Sequence, residues 1–459
     1  MKLTRRQAVV GAVAGGVGAG GIYDLVDQLT GGTPTRADAV APFPEQHLLD
    51  GIRVVKSNGI EVLVPPLHHE VVTARVTASA GDVRHAQDEL ESLLAALDKD
   101  YAPSPAGLGV TVAWGLPYFR RLVPGQMRRL LPHDRRAGKP VLIDTRRFPS
   151  DPPDTRLESN DVAILLRSDV RAHILDTEKR LRDSKLFDFT SIRRGFAGGG
   201  FDGGTSLPKQ MALASQIPGA DLIPETSELF LGFTSTQKAG MGPGPIANFE
   251  TLGYVEFRGS DYFRHGTHMH LSHIHEDVEA WFINFEFDER VATAFRPNLQ
   301  VRQDTQTVRQ GPEDVSSVAA VRRDYRTSGR IGHSASIQTT SRLLHDVVSA
   351  EGTVFPKGTA IPVRADFNTL DNPFAWSERT DEVGATPAAG VHFVVFNPTG
   401  DDFHRNRLAM DGVLPGGKIP FKPRAREQGF NSVLSTTHRQ NFLVPPRRHR
   451  AFPLAELGV

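Results

Sequence analysis

The order of segments between residues 71 and 182 limits this chain more than any other feature. Residues 71–78 alternate and are rich in β-branched side chains, the period of a strand with two different faces. Asp82 then offers an N-cap, and Leu90, Leu93, Leu94 and Leu97 recur at helical spacing over 83–97. Residues 108–115 read as a second strand ending in glycine, 116–123 as a short helix closed by Pro124-Gly125, 161–168 as a third, buried strand, and 170–182 as a helix. Strand, helix, strand, strand, helix is the order of a ferredoxin-like unit, in which helices cover one side of an antiparallel sheet. Trp114 in the second strand reads as core.

Residues 390–397 form a buried strand, and 401–407 start the helix after it. The expectation is an α+β protein of two ferredoxin-like halves, of the dimeric α+β barrel type, enclosing a pocket between sheet and helices. The divisions are 1–39, a signal and linker; 40–190, the first half; 191–250, a Gly-rich connection; 251–411, the second half with the pocket; and 412–459, an irregular tail that wraps the surface and carries no chemistry.

At the N-terminus, Thr4-Arg5-Arg6 precedes an apolar Gly/Ala-rich run that ends at Ile22. A charged start before a weakly hydrophobic stretch is the layout of a secretory signal, and the arginine pair resembles a twin-arginine signal. The run is too short and glycine-heavy for a stable membrane span. The expectation is export by the twin-arginine machinery to the cell envelope or outside the cell, with cleavage near 35–39. The sequence contains no cysteine. That removes disulfides, iron–sulfur clusters, thiolate haem ligation and cysteine nucleophiles, and leaves no oxidative step to complete after export. Lys plus Arg and Asp plus Glu both count 53, so no net charge draws the chain to nucleic acid.

Chemistry concentrates in the second half. Gly329-Arg330-Ile331-Gly332-His333 reads as a glycine-bounded turn that delivers one histidine into an apolar–polar segment, Ser334-Ala335-Ser336-Ile337-Gln338. A single imidazole placed by a short rigid segment is what a haem iron needs on one side, so His333 is the candidate ligand. His345, on a helix-like run over 342–348, is its rival. A second cluster, 265–275, holds five of the 17 histidines. His268 and His270 would share a strand face and could begin a divalent-metal site with Glu276 or Asp277. The loop Gly198-Gly199-Gly200-Phe201-Asp202-Gly203-Gly204 lacks the Lys-Ser/Thr of a phosphate loop.

In its order of segments from about Gly51 to about Arg407, the chain resembles the dye-decolourising (DyP-type) peroxidases. The resemblance is carried by the strand 108–115 followed by Tyr118-Phe119, by Asp161–Arg167, by Leu231-Gly232-Phe233, by Ala280-Trp281, by His333 and by Val363-Arg364. It implies haem b held by His333, with Gly232 and Phe233 near the cofactor. It implies Arg364 on the opposite, distal side, and hydrogen peroxide oxidising an organic electron donor. The family places an Asp after the segment matching Leu231-Gly232-Phe233, to move a proton between the peroxide oxygens. Here Ser235 and Thr236 follow instead. A serine is a poor acid or base near neutral pH. Either Asp202 supplies the carboxylate from upstream, or Asp366 does, or the site has lost it. The last possibility leaves a haem- or ligand-binding protein without turnover. A third reading is a cofactor-free or divalent-metal-binding exported protein.

Overall fold

The computed structural model describes residues 21–30, 43–57, 60–134, 138–197, 205–225, 227–233, 261–299, 316–348, 354–373 and 386–458. The main elements in chain order are α1 (Gly21–Thr30), β1 (His68–Val76), α2 (Val83–Asp100), β2 (Gly109–Gly115), β3 (Val162–Ser168), α3 (Arg171–Asp183) and β4 (Phe187–Phe196) in the first half. The second half has β5 (Thr267–Glu276), α4 (Val278–Asn284), α5 (His333–Ser341), β6 (Phe367–Thr369), β7 (Gly390–Asn397), α6 (Gly400–Met410) and β8 (Leu434–Val444). The protein is α+β, built on one large mixed sheet.

Within the first half the strands lie in the order β4-β1-β3-β2, and within the second half in the order β8-β5-β7-β6. Each half therefore repeats one pattern, its first strand flanked by its third and fourth. The halves join twice, where Asn368 of β6 pairs with Phe196 of β4 and where Phe442 and Leu443 of β8 pair with Gly115 and Trp114 of β2. These eight strands thus form a closed antiparallel ring, which leaves no open edge among them. A strand's side chains alternate between its faces. One set fills the ring: Val71, Leu165, Met269, Leu271, Phe367, Val394, Phe396 and Phe442 bury together. On the outer face of the first half, α2 and α3 press Leu90, Leu94 and Ile174 against Val72 and Ile164. Trp114 is fully buried there, as expected of a core residue.

Three expectations change. The tail assigned to 412–459 is not irregular, because it contains β8, an eleven-residue strand of the ring. The helix-like run at 342–348 is no helix: Arg342 bridges to Ala360, and Val347–Val348 pairs with Val354–Phe355. The 1–39 segment is not merely leader and linker. Its part α1 buries Ile22, Tyr23, Leu25 and Val26 in the first-half core, and the Tyr23 hydroxyl donates to the His69 carbonyl at 2.7 Å. The arginine pair, Ser235 and Asp202 lie outside the described residues. Among the described residues no helix is long and apolar enough to cross a membrane.

Candidate functional site

The outer face of the second half is organised differently from that of the first. Its helices α5 and α6 stand off from β5, β7 and β8 and leave a cavity of ≈ 300 Å³, at the lower end of the range for small-molecule sites. The sheet wall follows from period two: Val391, Phe393 and Val395 of β7 face the cavity while His392, Val394 and Phe396 turn inward. Phe403 of α6 and Phe295 complete apolar sides.

His333 enters this cavity as the first residue of α5. Gly332 sets its position with φ +65°, and a Cβ there would stand 2.3 Å from the Phe295 carbonyl oxygen, so only glycine fits. Burial, then the guanidinium groups of Arg364 and Arg407, push the His333 imidazole down to about 3, so it is neutral near pH 7. Its Nδ1 is buried with no hydrogen-bond partner, and its ring packs against Phe430 at 4.9 Å. The rival His345 is exposed and does not line the cavity.

Arg364 lines the same cavity from the short strand Val363–Arg364, where it pairs with Val395. Its Nε lies 3.8 Å from Asp366 Oδ1, and Asp366 also faces the cavity. Phe233 reaches it too. Gly232, at φ +89°, makes the turn before it, and the Trp281 indole donates to the Leu231 carbonyl at 2.8 Å to hold that turn. Of the expected site residues, the fold thus brings His333, Arg364 and Phe233 to one cavity.

His268 and His270 do share a face of β5, but both are buried away from that cavity's lining. His270 uses both ring nitrogens, with Asn441 Oδ1 at 2.7 Å and the Ser272 hydroxyl at 2.5 Å, and stacks on Phe403 at 3.5 Å. Among the described residues no group of three or more His, Asp or Glu side chains is placed to hold a metal ion.

Several lining residues were not anticipated. Arg407 of α6 and Arg439 of β8 add positive charge, and Glu276 at the end of β5 adds a carboxyl. Glu276 is singled out in the sequence only as a possible further ligand beside His268 and His270, not as a group of this cavity. Arg439 sits in the segment assigned no chemistry.

These residues suit a porphyrin. Aromatic and aliphatic sides match a flat apolar ring, and arginines match its carboxylates. One neutral imidazole with an unsatisfied ring nitrogen matches an axial ligand.

Residues 66–446 match the model of a family described as a family of unknown function (DUF7405). A search of curated proteins finds no match. Among solved structures, the chain is similar to the DyP-type peroxidase from Cellulomonas bogoriensis, at 17% identity, covering 88% of this chain and 96% of that one, with a TM-score of 0.50. DyPB from Rhodococcus jostii RHA1 aligns at 12% identity over 84% of this chain and 95% of that one, with a TM-score of 0.46. At such identities the likeness is one of fold.

Proposed function

The chain belongs to the DUF7405 family, whose function is not known, and we propose that this protein is an exported haem-binding protein of peroxidase type. The observation that carries this reading is the pairing of His333 with Arg364 around one apolar cavity, in a fold resembling that of DyP-type peroxidases.

His333 would hold the haem iron through its neutral imidazole, and Phe233 would border the ring. Arg407 and Arg439 would meet its carboxylates. When bound, haem supplies a redox centre able to take two oxidising equivalents from hydrogen peroxide and pass them to an organic donor. The chain's contribution is electrostatic and positional. Arg364 aims a fixed cation where negative charge gathers on the leaving oxygen, inside a cavity of low dielectric where such a charge is effective. The apolar walls limit water around it.

A second reading, ligand binding without turnover, rests on Ser235 standing where the related peroxidases carry an aspartate. One experiment separates the readings. Purified protein, or protein titrated with hemin, is scanned for a Soret band. The proposal expects a band that His333→Ala abolishes and His345→Ala preserves. A band of equal strength in His333→Ala removes the ligand assignment, and no band in any protein removes haem. Mixing the loaded protein with hydrogen peroxide and a reducing dye then distinguishes turnover from storage.

A further inference from the structure

We propose that Glu276, which lines the same cavity as Asp366 and Arg364, is the residue that carries a proton to and from a ligand there. The inference deepens the peroxidase-type reading and rests on it for the identity of the ligand.

Glu276 is the last residue of β5 and shares its cavity-facing side with Ser272 and Ile274. It is 5% exposed, and its Oε2 is buried with no hydrogen-bond partner among the described residues. An ionised carboxylate in that position would have one oxygen sealed from solvent and without a donor, a costly state, whereas a neutral carboxylic acid keeps a proton it can give. Asp366 faces the same cavity and has the Arg364 guanidinium beside it. Two carboxyls around one low-dielectric space do not both ionise readily. Glu276, with no cation paired to it among the described residues and one oxygen sealed without a partner, is held in its protonated form. Burial first, and Asp366 second, push Glu276 up to about 8.

The charged and titratable groups around these two carboxyls are few. Arg364 and Asp366 come from the segment before β6, Arg342 from the segment after α5, Arg407 from α6, Arg439 from β8, and His333 from α5. His275 and Asp277 flank Glu276 along the chain. His333 is neutral, so the cations near the cavity are guanidinium groups, which do not exchange protons near neutral pH. That leaves Glu276 as the group able to lend one. In the transfer, the O–H bond of the Glu276 carboxyl breaks and its electron pair stays on the carboxylate. The peroxide O–O bond breaks with its electron pair going to the leaving oxygen, which takes the proton in a new O–H bond and departs as water. The carboxylate is reprotonated by the other peroxide oxygen as it gives up its hydrogen. No electron moves at Glu276, and the oxidant and reductant remain peroxide and the organic donor.

The test uses full-length protein and the variants Glu276→Gln and Glu276→Asp. Infrared difference spectra between pH 6 and pH 10 read the acid directly, with or without haem. The proposal expects protonated-carboxyl absorption that disappears on alkalinisation and that Glu276→Gln reduces by one component, leaving that of the buried Glu70. Absorption unchanged in Glu276→Gln overturns it. In hemin-loaded protein, Glu276→Gln is expected to keep the Soret band but to react with hydrogen peroxide at least about a hundredfold more slowly, with the alkaline limb of the pH profile gone. Glu276→Asp is expected to recover part of the rate. Glu276→Gln reacting at the wild-type rate overturns the proposal. Should the parent protein take up no hemin, the peroxidase-type reading fails, while the infrared titration still decides whether Glu276 is the protonated acid.

Discussion

Asp151 accepts a hydrogen bond from Arg439 at 2.6 Å with each side chain only 1% exposed. The contact joins a loop of the first half to β8, and it sets a cavity-lining guanidinium in place. The same carboxylate accepts from Arg407 Nη2 at 3.2 Å, and Phe148 lies 4.8 Å under the Arg439 guanidinium. Arg439 Nε and Nη1 are buried without partners, so Asp151 is its anchor among the described residues. Removing one member of a buried pair leaves an uncompensated charge, at about 3–5 kcal/mol. Asp151→Ala is therefore expected to lose about that much stability in denaturant unfolding and to bind hemin more weakly. A change below about 1 kcal/mol would show that Arg439 finds another partner.

The docking of α1 predicts that early residues stabilise the fold. Tyr23 is fully buried and its hydroxyl also lies 3.3 Å from Glu70 Oε2. Tyr23→Phe leaves the His69 carbonyl without that donor and is expected to cost about 1–2 kcal/mol. A chain starting at residue 40 also exposes the slot left by Ile22, Leu25 and Val26 and is expected to melt several degrees below one starting at residue 21. Equal melting temperatures would mean that the slot closes by itself.

Buried histidines predict acid lability. His47 and His69 are each pushed down to about 3, first by burial and then by Arg167. In the unfolded chain they titrate near 6.5. Between those values the unfolded state binds more protons, so their contribution is complete above about pH 6.5 and is lost as pH falls toward about 3. His268 behaves alike, and His404 and His438 are held near 4. Glu70 and Glu276, pushed up to about 8, act in the opposite sense, favouring the fold below that value. The histidines outnumber them. Urea unfolding at pH 7 and pH 5 is expected to show a loss of several kcal/mol at the lower pH. A flat profile would mean that the acids cancel the histidines.

The readable parts of the sequence are those whose burial is apolar. β1, β3 and β7 declare themselves by β-branched side chains, and α2 by its leucines. β4 and β8 do not, since Arg193, Arg194, His438, Arg439, Gln440 and Asn441 are all buried in them. Polar residues with internal partners break the alternation that marks a strand, and such segments look like loops. His333 and Arg364 could be singled out because each sits in a short segment resembling a known family. Glu276 is legible only as a possible metal ligand, because its place in the cavity depends on Arg364 and Asp366, which another part of the chain brings to the same lining.

The backbone at Gly332 predicts how tightly ligand binding depends on one turn. A Cβ there would stand 2.3 Å from the Phe295 carbonyl oxygen and 2.6 Å from Arg296 Cα, both backbone atoms that cannot step aside, and φ is +65°. Gly332→Ala must move the start of α5, and His333 with it. A displacement of about 1 Å at a binding group lowers function by roughly a hundredfold, whereas α5 keeps its packing on α6 through the bond from the Thr340 hydroxyl to Asn406 Oδ1 at 2.7 Å. Gly332→Ala is accordingly expected to fold, to lose about 1–3 kcal/mol, and to bind hemin far more weakly than the parent. Gly329→Ala is the control, since its φ is +73° but nothing lies within 4 Å of the added methyl. It carries the backbone strain without the collision. Equal losses of hemin affinity in the two variants would show that strain in the turn matters and the position of His333 does not.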